Sequence, residues 1–198
     1  NLEWIRLHYA HPAHLNKEVI KRFSCLEKLI PYIDMPTQHG SDKILKDMRR
    51  GLDSKGIRKR IDSLRNINDK ISIRTSMIVG FPGETEKEFQ ELYDFIEEVK
   101  FDRLGVFQYS EEEGTHGAEA FTDDVPKNIK KERFETIMML QQKINYEKNI
   151  KRVDSIERIL IDVADEEGWS LGRSYRDAPE IDNYVKINKK LTVGDMYD

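Results

Sequence analysis

The stretch Ile71–Val99, ISIRTSMIVGFPGETEKEFQELYDFIEEV, changes its period once and so decides the fold. Over Ile71–Val79 the residues alternate: Ile71, Ile73, Thr75, Met77 and Val79 fall on one face, and Ser72, Arg74, Ser76 and Ile78 on the other. That is the period of a strand with two distinct faces. GFPGE then supplies a tight turn, with glycines where the backbone must bend. From Thr85 the period lengthens, and Phe89, Leu92, Ile96 and Val99 make a helical stripe. Thr85 and Glu88 stand at capping-box spacing, which marks the helix start.

Working outward, the same strand-then-helix unit recurs. On the N-terminal side, Glu3–Tyr9 and Leu29–Met35 read as strands. Asn16–Ser24, Ser41–Arg50 and Lys55–Ile67 read as helices, with Asn16 and Ser41 as N-caps and Gly51 as a stop. On the C-terminal side, Arg103–Tyr109 is the fourth strand, and a long helix over 126–150 follows with Pro126 at its first position. Beyond Lys151 the pattern changes to short β-rich runs, Ser155–Val163, Trp169–Tyr175, Asn183–Ile187 and Leu191–Tyr197, separated by turn residues. The expected organisation is therefore an α/β domain over 1–150, with about four βα units on a parallel sheet, and a small antiparallel β-domain over 151–198. Four units do not close a barrel of eight, so a partial barrel and an open doubly wound sheet both stand at this point.

The chain has 198 residues, 38% hydrophobic and 35% charged, which suits one large domain or a full domain with a small one. No apolar run approaches the ~18 residues of a membrane span, and the first residues lack the charge pattern of a signal peptide. The net charge is -4, which argues against a broadly basic nucleic-acid footprint. Cys25 is the single cysteine. It excludes an intrachain disulfide and any cysteine-based cluster built from this chain alone, and it fits a reducing cytoplasm.

In a parallel sheet, ligands gather at the C-terminal strand ends. Four spots fall there: His8–His11, Asp34–Ser41, Val79–Glu84 and Gln108–Ser110. His8, His11 and His14 could ligate a metal, but Pro12 interrupts them and ordinary loop histidines are the better reading. Gln38 offers both a donor and an acceptor beside a helix start. Arg74 is the odd residue of its strand. A cation pointing into a barrel needs an anion, either a ligand or a carboxylate such as Asp34. Glu111–Glu113 reads as a solvated loop.

Four ordered segments together carry a family resemblance: DMPTQHGSDKILKDMRRG (34–51), IRTSMIVGFPGETEKEFQEL (73–92), FDRLGVFQYSEEEGTHGA (101–118) and DDVPKNIKKERFETIMMLQQKI (123–144). With them the sequence resembles the methylthiotransferase family of radical S-adenosylmethionine enzymes. HYAHPAH and GRSYRDAPEID (172–182) make it similar to the branch that methylthiolates an aspartate of a small-subunit ribosomal protein. The tRNA-modifying branch is the alternative. The C-terminal domain carries eight basic and eleven acidic residues, a poor surface for RNA and a suitable one for a basic protein.

The resemblance implies a partial radical S-adenosylmethionine barrel followed by an incomplete TRAM-like β-barrel. It implies S-adenosylmethionine as cofactor and two iron–sulfur clusters in the full-length protein. The cluster cysteines are absent from this chain and are expected before Asn1, so the chain alone is expected to bind no cluster, to carry no catalytic residue of its own and to be inactive. By position, Gln38, Arg74, Ser76, Ile78, Val79, Gly80 and Tyr109 are the expected cofactor-binding residues, with Arg74 facing the ligand carboxylate and Phe107 near Tyr109. A cytoplasmic protein without membrane contact is expected. A metal hydrolase built on His8, His11 and His14, and a non-catalytic protein-binding module, are the readings from other classes.

Overall fold

The computed structural model describes residues 2–198. Four strands, β1 (Ile5–Leu7), β2 (Leu29–Asp34), β3 (Ser72–Val79) and β4 (Arg103–Gln108), form one sheet in the order β1-β2-β3-β4, all parallel. The order follows the chain without a reversal, whereas a doubly wound sheet turns back on itself. The sheet is therefore an arc of a barrel. Its outer face is covered by α1 (Lys17–Arg22), α3 (Ser54–Ile67), α4 (Glu86–Val99) and α6 (Lys127–Ile150), and α2 (Asp42–Asp47) and α5 (His116–Ala120) lie in the loops after β2 and β4.

The alternation of β3 sets which face is which. Ile73, Met77 and Val79 enter the core with Leu64, Leu92, Phe95, Ile96, Phe101 and Ile137, while Arg74, Ser76 and Ile78 are only half-buried on the opposite, inner face. Register carries this across the sheet. Arg74 stands beside Arg103, Ser76 beside Gly105 and Ile78 beside Phe107. The inner face is thus polar at the strand starts and apolar near the strand ends.

Several local expectations shift. β1 is three residues long, not seven. Asn16 caps α1 through its side chain, which accepts from the Val19 N–H at 3.0 Å. Ser41 occupies the N-cap position of α2 but makes no capping bond; the His39 Nδ1 accepts the Ser41 N–H instead, at 2.9 Å. The left-handed stop after α2 begins at Arg49 (φ 56°), before Gly51 (φ 72°). Pro126 is the N-cap of α6 rather than its first helical residue. At α4 the Thr85 N–H donates to Glu88 Oε2 at 3.0 Å, and the capping box forms.

The second sheet contains β5 (Ile159–Ala164), β6 (Ser170–Ser174), β7 (Val185–Ile187) and β8 (Met196–Tyr197), antiparallel in the order β7-β6-β5-β8. Its strands are shorter than the β-rich runs that predicted them, because the flanking residues are turns. Gly172 is required where β6 crosses β5: a Cβ there would lie 2.5 Å from the Leu160 carbonyl oxygen.

Candidate functional site

The inner face ends upward in a cavity of about 610 Å³ at the C-terminal ends of β3 and β4. Gln38, Ile78, Phe107 and Tyr109 line it, with Phe81 and Met48. That volume lies within the range of small-molecule sites. Ile78 and Phe107 face it because they are register partners on the inner face. Phe107 is 57% exposed, an uncovered aromatic at a concave opening.

Gln38 reaches the site through unusual backbone. Its φ is 74°, in the left-handed region, which for a residue with a side chain indicates a constraint. Two bonds impose it: the Gln38 N–H donates to the Ser76 carbonyl at 2.9 Å, and the Ile78 N–H donates to the Gln38 carbonyl at 2.9 Å. A buried chain of polar groups fixes the neighbouring turn. His39 accepts from Ser41 on Nδ1, so Nε2 carries the proton and donates to Glu84 Oε2 at 3.0 Å. Glu84 Oε1 accepts from the Gly80 N–H at 3.0 Å and from Arg133 at 2.8 Å. The GFPGE turn is thereby tied to the loop that carries Gln38.

Lys130 closes this turn from the other side. Its Nζ, anchored by both Asp123 oxygens at 2.7 and 2.6 Å, donates to the Tyr109 carbonyl at 3.1 Å. Its stem passes directly over Gly80, where a Cβ would meet Lys130 Cγ at 2.3 Å. Gly117 also packs closely on Tyr109, where a Cβ would lie 2.9 Å from Oη, and that Oη is buried and has no hydrogen-bond partner among the described residues. Burial first, then the nearby Glu111, Asp123 and Glu112, raise the Tyr109 pKa, so the phenol stays neutral.

Below the cavity, Arg74 Nη1 donates to Asp34 Oδ1 at 3.2 Å, and its Nε stands 3.5 Å from Asp182 Oδ1. Burial works against the Arg74 charge, but Asp34 and Asp182 outweigh it and its pKa is raised. The carboxylate alternative for this cation is thus occupied.

Of the expected residues, the structure brings Gln38, Ile78 and Tyr109 to one cavity and places Arg74 and Ser76 on the same inner face beneath it. It does not bring Val79 and Gly80 there. The Val79 side chain lies in the helix-facing core, and Gly80 is covered by Lys130. α5 and the preceding loop form a further cavity wall with Ser110, Glu112, Thr115 and His116; Ser110 falls in the expected strand-end spot, and Glu112 in the run expected as a solvated loop. Thr115, whose hydroxyl accepts the Ala118 N–H at 3.3 Å, is the N-cap signal that reveals this helix.

His8, His11 and His14 do not converge. His8 Nδ1 faces Asp34 at 3.9 Å, and His11 Nδ1 accepts from the Ala13 N–H at 3.2 Å. Among the described residues no three His, Cys, Asp or Glu side chains are grouped to hold a metal. Cys25 is exposed. These residues do not fit an iron–sulfur cluster, whereas the cavity, with its apolar walls and unpartnered Tyr109 hydroxyl, fits a nucleoside-sized ligand. A larger cavity, about 770 Å³, lies between the end of α6 and the small sheet and shares no lining residue with the first. Among the described residues no helix is long and apolar enough to cross a membrane.

Residues 1–96 match the Radical SAM superfamily, and residues 154–198 match the TRAM domain. The chain is 45% identical over 185 residues to the ribosomal protein uS12 methylthiotransferase RimO of Prosthecochloris aestuarii, covering 93% of this chain and 42% of that protein. It is 43% identical to the protein of the same name from Syntrophomonas wolfei, covering all of this chain and 45% of the relative. The chain spans less than half the length of these curated relatives. Among solved structures, coproporphyrinogen III oxidase (HemN) from Escherichia coli, a radical SAM enzyme, superimposes with a TM-score of 0.58 at 23% identity, over 70% of this chain and 32% of that one. That likeness supports the partial-barrel fold.

Proposed function

We propose that the chain is part of a ribosomal protein uS12 methylthiotransferase, supplying one wall of an S-adenosylmethionine site and a protein-facing TRAM domain. The carrying observation is the inner face of β3, where Arg74, Ser76 and Ile78 point in one direction beneath a cavity lined by Gln38, Phe107 and Tyr109. The similarity to uS12 methylthiotransferases over nearly the whole chain supports the same reading.

In this reading Ile78 and Phe107 provide the apolar surface for an adenine ring. Gln38 and the Tyr109 hydroxyl are the polar groups that orient it, since a buried unpartnered phenol gains most from a ligand hydrogen bond. Arg74 keeps its Nη2 edge beside Gly105, on the inner face, for a ligand carboxylate. Ser76, next to Gly105, contributes a hydroxyl at the same level. S-adenosylmethionine, with a cluster held elsewhere in the full-length protein, would supply radical chemistry able to remove hydrogen from the β-carbon of an aspartate; the residues of this chain would hold and shield the adenosyl and carboxylate parts of that cofactor. The cluster ligands belong to other parts of the full-length protein. The net negative TRAM domain suits a basic ribosomal protein better than tRNA, and such a protein works in the cytoplasm.

The test is mass spectrometry of uS12 and of tRNA after incubation with the full-length protein, its clusters reconstituted, S-adenosylmethionine, a sulfur source and a reductant. The expected result is one methylthio group on an aspartate of uS12 and no modified tRNA, with no product from residues 1–198 alone. Methylthiolated tRNA with unmodified uS12 would overturn the substrate assignment. Product from residues 1–198 alone would overturn the division of labour.

A further inference from the structure

The GRSYRDAPEID motif is chemically the densest part of the small β-domain, yet the proposed chemistry leaves it without a task. The structure places its second half against the parallel sheet. Arg103 donates through Nε to Asp177 Oδ1 at 3.0 Å, and its Nη2 binds the same oxygen. Ser174 Oγ donates to Asp177 Oδ2 at 2.7 Å. Asp182 Oδ2 accepts from the Ala178 N–H at 2.8 Å and from the Tyr32 hydroxyl at 3.3 Å, while its Oδ1 faces Arg74 Nε. Ser72 Oγ donates to the Arg176 carbonyl at 3.4 Å. Ala178 and Tyr175 pack on Ile30, Tyr32 and Trp4. The segment therefore forms the floor of the inner face.

Charge balance gives that floor a role. The inner face carries three arginines, Arg6, Arg74 and Arg103, and only one carboxylate of its own sheet, Asp34. Asp177 and Asp182 supply the other two. The two imported carboxylates act differently. Asp177 is fully engaged, with Oδ1 bonded to Arg103 and Oδ2 to Ser174. Asp182 stands 3.5 Å from Arg74 Nε without a bond to it, and that Nε is buried and unpartnered. Asp34 orients Arg74; Asp182 acts on it through charge. A carboxylate held at Arg74 would share that partly buried site with the Asp182 charge, and like charges so placed repel, which weakens the pull of Arg74 on another anion.

We propose that Asp182 is a specificity-determining residue: from the TRAM-side segment it partly neutralises Arg74 and so lowers the affinity of the inner face for the carboxylate of an S-adenosyl amino acid. This rests on the reading of Arg74 as the carboxylate partner. Burial raises the Asp182 pKa, the cost of placing this carboxylate at the floor. The role differs from a structural one in sign. A structural support weakens binding when removed, whereas a charge brake strengthens it, and only for ligands that carry the carboxylate.

The experiment is calorimetric binding of S-adenosylhomocysteine, which has the carboxylate, and 5′-methylthioadenosine, which lacks it, to the full-length protein with its clusters oxidised. Asp182→Asn and Asp182→Ala both remove the charge, and Asn keeps an acceptor for the Ala178 N–H; circular dichroism identifies which variants are folded. The expected result is that either folded variant binds S-adenosylhomocysteine about tenfold more tightly and 5′-methylthioadenosine within about twofold of the wild type. Unchanged or weaker S-adenosylhomocysteine binding, or equal gains for both ligands, would overturn the proposal, as would failure of both variants to fold, since Asp182 would then be a structural support. Arg74→Gln separates the two levels. If it removes the preference for S-adenosylhomocysteine while Asp182 variants do not tighten it, only the charge brake falls. If it leaves the preference intact, the Arg74 reading falls and the proposal with it.

Discussion

The two ends of the inner face are built on opposite principles. At the strand starts the arginines are engaged, mostly by groups from far along the chain: Asp177 for Arg103, Asp182 with Asp34 for Arg74, and the Asp177 and Tyr175 carbonyls for Arg6. At the strand ends the groups stand open, with Phe107 exposed, Tyr109 Oη unpartnered and Gln38 held by its backbone alone. Closed charge pairs hold structure in place. Open, pre-positioned groups leave binding energy for a ligand. The same strands serve both purposes because alternation brings one face inward along their whole length.

The comparison breaks most visibly at the floor. Asp177→Ala leaves Arg103 buried without its carboxylate, and removing one partner of a buried pair costs about 3–5 kcal/mol. Urea unfolding of the full-length protein should show that loss, and a value near zero would mean that the floor is not held by charge. Next in size is the turn at the strand ends. Gly80→Ala places a methyl group against the Lys130 stem at a φ of 72°, with an expected cost of about 2–3 kcal/mol. That variant should also displace Lys130 from the Tyr109 carbonyl, so adenosyl-ligand affinity falls with stability. Smallest in stability is the roof. Phe107→Ala removes a half-exposed ring, and unfolding should change by less than about 0.5 kcal/mol. Its ligand affinity should nonetheless fall about tenfold, since a stacked aromatic surface is lost. Equal loss of stability at Phe107 and Asp177 would erase the distinction between the two ends.

Most of the arc was legible because its strands and helices follow simple periods. The β3 alternation predicted which side chains face inward, and the Thr85–Glu88 spacing predicted the start of α4. Pattern reading was weaker where tertiary contacts override local preference. β1 is short, with Tyr9 in the left-handed region just past its end, and Ser41 stands at the N-cap of α2 with its hydroxyl buried and making no capping bond. Orientation was legible on the strand, where alternation turns Arg74, Ser76 and Ile78 to the inner face. It was less so on the turn: Val79 faces the core by the same alternation that sends Ile78 inward, and nothing local announces that Lys130 will cover Gly80 from 50 residues away. The docking of Asp177 and Asp182 was invisible for the same reason. Their partners lie 74 and more residues upstream, and no periodicity records such a contact.

The central claim is that the strand ends bind and the strand starts hold. Hydrogen exchange of the full-length protein with and without S-adenosylhomocysteine tests it most directly. Protection on ligand addition should concentrate in the loop around Gln38, at Ile78 and across Phe107–Gly117, while residues 174–182 are already protected without ligand and change little. Protection confined to 174–182, with none around Gln38 and Phe107, would contradict it.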